Sequence, residues 1–175
     1  MSYTPGSGTV GNSGGNNLTL PDPVPDAPAG VSAGDGASTA TVPVSWASSA
    51  YATGYRVYRY TSSASNSASV VGSVATTNYS DATGTPGTLY YYWVKATNAV
   101  GTSAFSAYDT GYRALSAPAN VAASDTSPDA VAVTWSAVTG ASHYRVYRAA
   151  TPDGAKSALG AWQTALTYSD TAPAY

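Results

Sequence analysis

Tyr55-Arg56-Val57-Tyr58-Arg59 returns as Tyr144-Arg145-Val146-Tyr147-Arg148, and the reading of this repeated stretch decides the fold. Trp46 returns as Trp135, and Tyr79-Ser80-Asp81 returns as Tyr168-Ser169-Asp170; from 55 to 144, from 46 to 135 and from 79 to 168 the step is 89 positions. Three separate matches at one step imply two copies of a unit of about 90 residues, the size of a small β-sandwich module.

Within each copy the apolar residues alternate, which is the signature of half-buried strands. Val42, Val44 and Trp46 face one way and Pro43 and Ser45 the other, a pattern that Val131, Val133 and Trp135 repeat. Tyr55 and Val57, with Tyr144 and Val146, form the next inward pair. Tyr90, Tyr92, Val94 and Ala96 then alternate against Tyr91, Trp93 and Lys95. The predicted core is therefore Trp46, Tyr55, Val57, Tyr90, Tyr92 and Val94 in the first copy and Trp135, Tyr144 and Val146 in the second.

Composition agrees with this and narrows the class to all-β. All nine acidic residues are Asp, Glu is absent and Lys occurs only at 95 and 156, so the surface helix formers are nearly missing. Val, Thr, Tyr and Trp supply strand formers, while Gly, Pro, Ser, Asn and Asp supply turns. Charged residues make up 9% of the chain, far below the roughly 25% of ordinary soluble domains, and leave no basic stripe for nucleic acid. There is no cysteine for a disulfide or a thiolate, and no stretch approaches the length of a membrane span.

The strands resemble those of the fibronectin type III family. The residues that carry the likeness are the Pro-rich opening Pro25-Asp26-Ala27-Pro28, Val-x-Val-x-Trp, Tyr-Arg-Val-Tyr-Arg, the run Thr88 to Ala96 and the turn Asn98-Ala99-Val100-Gly101. The resemblance implies tandem antiparallel Ig-like sandwiches. It implies that Tyr90 is a corner tyrosine whose hydroxyl ties back to the backbone, and that Gly101 turns the last hairpin.

The chain divides on this reading into a flexible leader over residues 1–26, a first module over 27–115 and a second over 116–175. The leader is rich in Gly and Asn and ends in Pro21, Pro23 and Pro25, a stiff polyproline-like spacer. Its few apolar residues, with Tyr3, Val10, Leu18 and Leu20 as candidates, would attach it to a larger assembly, Leu18-Thr19-Leu20 by pairing with a neighbouring subunit. By the 89-residue step the second module stops where its sixth strand should begin, which calls for completion by further sequence or by another subunit.

Chemistry is scarce. His143, the single histidine, stands beside a turn with no recognisable Ser and Asp partners, and one His makes no zinc site. Asp81 and Asp170 occupy equivalent positions after Tyr-Ser and read as turn caps. No catalytic residue, cofactor or metal is expected. The outward aromatics Tyr58, Tyr91, Trp93 and Tyr147 form a candidate binding face for a cell-surface glycan or protein.

Two settings fit a structural or adhesive, non-enzymatic chain. The opening Ser2 to Val10, without the basic and apolar regions of an export signal, resembles the start of tailed-bacteriophage virion proteins such as fibres and decoration proteins, and the partners would be virion subunits, including further copies of itself. The alternative is a run of spacer or adhesion modules in a secreted bacterial enzyme or surface adhesin.

Overall fold

The computed structural model describes residues 9–11, 17–19, 21–124 and 129–171. Tyr3 and Leu20 of the expected attachment segment lie outside them. The described residues hold β-strands, one 3-10 turn at Ser65–Ser67 and no α-helix, as the shortage of helix formers implies.

Inside the expected leader, β1 (Thr9–Gly11) and β2 (Asn17–Thr19) pair antiparallel, with Val10 opposite Leu18. Two paired strands thus stand in a segment read from the sequence as irregular. The intervening Asn12-Ser13-Gly14-Gly15-Asn16 is turn-favouring in composition. The proline stretch also departs from expectation, because it lies against the first module. Pro25 and Pro28 are buried, and the Asn98 side-chain amide donates to the Pro23 carbonyl at 2.7 Å. Gly101 lies close against this stretch: a Cβ on it would sit 3.0 Å from a Val24 methyl.

The chain separates into two compact units. The first contains β3 (Ser32–Ala33), β4 (Val42–Ser45), β5 (Gly54–Tyr60), β6 (Ser69–Val74), β7 (Asn78–Asp81), β8 (Tyr90–Thr97) and β9 (Asp109–Gly111). They form a three-stranded sheet in the order β3-β4-β7 and a four-stranded sheet in the order β6-β5-β8-β9, all antiparallel. One core joins the two sheets. Val42, Val44 and Trp46 come from the first, and Tyr55, Val57, Tyr90, Tyr92, Val94 and Ala96 from the second, all buried as the alternation predicts. Each Val-sized side chain so buried contributes about 1.5–3 kcal/mol, which is how a module without disulfides holds together. Gly111 marks a place where the sheets approach closely, since a Cβ there would meet Ala33 and Val42 at 2.9 Å.

The second unit contains β10 (Ala122–Ala123), β11 (Val131–Thr134), β12 (Tyr144–Arg148), β13 (Ser157–Gln163) and β14 (Thr167–Asp170). They make a sheet β10-β11-β14 and a two-stranded sheet β12-β13, repeating β3 to β7 of the first unit. Among the described residues nothing in the second unit corresponds to β8 and β9. The consequence shows in burial: Val42, Val44, Tyr55 and Val57 are buried, whereas their counterparts Val131, Val133, Tyr144 and Val146 are half-buried. Only Trp135 and Asp170 keep burial close to that of Trp46 and Asp81.

Candidate functional site

Two constellations in the first unit merit a chemical reading. One is polar and lies at the end of β7. The Asp81 carboxylate, fully buried, accepts hydrogen bonds from the Thr83 amide at 2.8 Å and hydroxyl at 2.7 Å on one oxygen, and from Arg59 and the Tyr92 hydroxyl at 3.0 Å on the other. The Thr83 contacts are the turn cap expected of Asp81. The ion pair with Arg59 was missed, although Arg59 and Asp81 both recur at the common step, as Arg148 and Asp170. Tyr90, expected as the corner tyrosine, is buried beneath the Arg59 guanidinium, which stands 4.3 Å from its ring centroid.

Burial pushes the Asp81 carboxyl up, but the hydrogen bonds from Thr83, Arg59 and Tyr92 together outweigh it and hold the group below the usual carboxylate range. Burial, and then the neighbouring carboxylate, push the Tyr92 phenol far up. Both oxygens of Asp81 are therefore saturated with donors at neutral pH. Such a network fixes loops and exchanges no proton with a substrate. In the second unit Arg148 meets Asp170 at 2.7 Å, with the arginine side chain 40% exposed against 17% for Arg59.

The other constellation is the outward aromatic face of β5 and β8. The expected exposed platform of Tyr58, Tyr91 and Trp93 is largely covered, and Trp93 is only 3% exposed. The segment after β8 turns back across it, because Ser103 and Ser106 donate their amides to Ala96 and Val94 while their hydroxyls accept the amides of those same residues. That clasp carries Phe105 and Tyr108 over Trp93, with ring centroids 6.4 and 5.9 Å from it. Phe105 meets Tyr58 edge-on at 4.8 Å, and Lys95 caps the Phe105 ring at 4.0 Å. Rings packed edge-to-face, or stacked on one another as Tyr91 and Trp93 are at 6.2 Å, leave little flat, open face to stack on a sugar. Of the four candidates only Tyr147, in the second unit, is markedly exposed, at 51%.

This covering should be measurable. Phe105→Ala is expected to cost about 1–2 kcal/mol, as the loss of partly buried ring area and one edge-on pair, and to shift Trp93 emission to the red as water reaches the indole. Unchanged emission would contradict the covering.

The remaining chemistry is sparse. His143 is exposed, with the Ser142 hydroxyl 3.1 Å from its Nδ1. No group of three or more metal-ligating side chains exists among the described residues. What dominates the structure is the scaffold, a sheet β3-β4-β7 facing a sheet β6-β5-β8-β9 across a Trp and paired tyrosines. The chain is built of fibronectin type III-like sandwiches.

No family model matches the chain. Among curated proteins it is similar to Exoglucanase B of Cellulomonas fimi, 35% identical over 89% of this chain. The chain spans 15% of the length of that relative. Among solved structures it is similar to a fibronectin type III-like protein from Clostridium thermocellum, with 30% identity, a TM-score of 0.48, 54% of this chain and 100% of that one covered. The FN1-FN3 domains of chicken CNTN1 give 21% identity over 92% of this chain and 64% of that one, with a TM-score of 0.45.

Proposed function

We propose that the fibronectin type III-like units are non-catalytic spacer and contact modules of a larger extracellular bacterial polypeptide. The observation that carries this reading is the relative: 89% of the chain matches a stretch amounting to 15% of an exoglucanase, a share too small to be that enzyme's whole machinery. An exoglucanase acts on a glucan, a polymer that does not enter cells, so modules of this kind would be exported together with their enzyme. The Asp81 carboxylate, both of whose oxygens are taken up by donors within the module, acts as a structural group and supports a non-catalytic reading of this loop. The secreted-enzyme setting thereby gains support from a relative that the virion setting lacks.

An antibody against residues 21–171 tests the proposal on fractionated cultures of the organism that encodes the chain. The expected result is a band in the medium well above the 17.6 kDa of this sequence. Recovery with viral particles, or a band of 17.6 kDa confined to cells, would overturn it.

A further inference from the structure

Arg56 departs from a rule that the other arginines of the first unit keep. Arg59 pairs with Asp81, and Arg113 donates to the carbonyls of Thr39, Ala82 and Gly84. The Arg56 side chain, exposed on β5, has no ion pair or hydrogen bond among the described residues. Its cross-strand neighbours are Ser73 on β6 and, directly opposite on β8, another cation, Lys95. Like charges so placed repel. The Phe105 ring takes up the Lys95 ammonium at 4.0 Å, but no carboxylate answers Arg56.

Beside Arg56 the outer face of the sheet is notched. Gly54 stands on the same face of β5 and brings no side chain, and a Cβ on it would sit 3.3 Å from the Thr97 Oγ1. The open space there, about 380 Å³, is rimmed by Thr53, Arg56, Ser73 and Thr97, and its lining holds no carboxylate. In the second copy His143 takes the position of Gly54, and Arg145, the counterpart of Arg56, donates to the Gly160 carbonyl at 3.1 Å. Neither feature therefore follows from the repeated fold.

We propose that this notch binds a carboxylate-bearing sugar, a uronic acid residue of an extracellular polysaccharide. The Arg56 guanidinium offers a carboxylate two parallel N–H donors, and the hydroxyls of Thr53, Ser73 and Thr97 suit the hydroxyls of a sugar ring. An acidic peptide fits less well. At this level β5 is paired on both sides, Tyr55 and Arg56 with Val74 and Ser73, and Gly54 to Arg56 with Thr97 to Lys95, so no main-chain edge is left to hold an extended segment. The choice of a polysaccharide rests on the extracellular setting proposed above.

The test titrates the whole chain with a trimer of galacturonic acid, with the methyl ester of that trimer and with a tri-aspartate peptide, and follows the backbone amides and the Arg56 Nε–H by NMR. The expected result is saturable shifts at Gly54, Arg56, Ser73 and Thr97 with the free acid, and binding weaker by about tenfold or more with the ester and the peptide. Arg56→Gln and Gly54→His should each weaken the trimer by a similar factor, and Arg56→Gln, at an exposed position, should keep the melting temperature of the unaltered chain. Binding of the ester or the peptide as tight as that of the free acid, the absence of saturable shifts at the notch, or an Arg56→Gln variant that binds as well as the unaltered chain would each overturn the proposal. The binding is read on purified protein, so its failure leaves the extracellular setting standing.

Discussion

Trp46→Ala is expected to destabilise the first unit by about 3–5 kcal/mol, a large part of what a domain of this size possesses. Trp46 is 6% exposed, meets Tyr55 edge-on at 5.4 Å and belongs to the cluster that both sheets share, so truncation leaves a void between layers that cannot slide together. Its indole N–H is buried without a hydrogen-bond partner. Trp46→Phe removes that unpaired donor while keeping most of the ring, and should cost much less than the alanine variant. The equivalent Trp135→Ala should also cost less, because Tyr144 and Val146 are half-buried and border an open groove. Chemical denaturation followed by amide exchange in β5 and β8 measures all three variants. Equal losses for Trp46→Ala and Trp135→Ala would contradict the difference in cover between the units.

Asp81→Ala should cost the first unit about 3–5 kcal/mol, the usual penalty for leaving half of a buried, hydrogen-bonded ion pair behind. The orphaned groups would be the Arg59 guanidinium, 17% exposed, the Tyr92 hydroxyl and the Thr83 amide. Asp170→Ala should cost distinctly less, since the Arg148 side chain is 40% exposed and can recover hydration. The sign of the pH dependence follows from the direction of the shift. The Asp81 carboxyl lies below its unfolded value of about 3.9, so its contribution is complete above that pH. It is lost as pH falls through the lower folded value. Asp81→Asn should therefore flatten the acid limb of the stability profile. An acid limb unchanged by that substitution would assign the acid sensitivity elsewhere.

The strands were legible because alternation reports a side chain's face directly. Val42, Val44, Tyr55, Val57, Tyr92 and Val94 all lie where period two places them. The repetition of β3 to β7 as β10 to β14 was legible too, from the 89-residue step. What alternation cannot report is what covers the opposite face. Trp93 sits on the outward side of β8 as predicted, yet it is buried because Ser103 and Ser106 clasp the strand edge and fold Phe105 and Tyr108 over it. The docking of the proline stretch depends on one amide, Asn98, reaching a carbonyl 75 residues earlier in the chain. The Arg59–Asp81 pair joins residues 22 positions apart, and only its recurrence as Arg148 and Asp170 marked it in the sequence.

The central claim is that one repeated strand, flanked on both edges in the first unit, is flanked on one edge among the described residues of the second, and residue-resolved amide exchange of residues 1–175 tests it most directly. The account predicts slow exchange at every amide of β5 between Tyr55 and Tyr58, where neighbours flank both edges, and slow exchange at only alternate amides of β12 between Tyr144 and Tyr147, where β13 flanks one. Uniform protection of both strands in the isolated chain, independent of protein concentration, would contradict it.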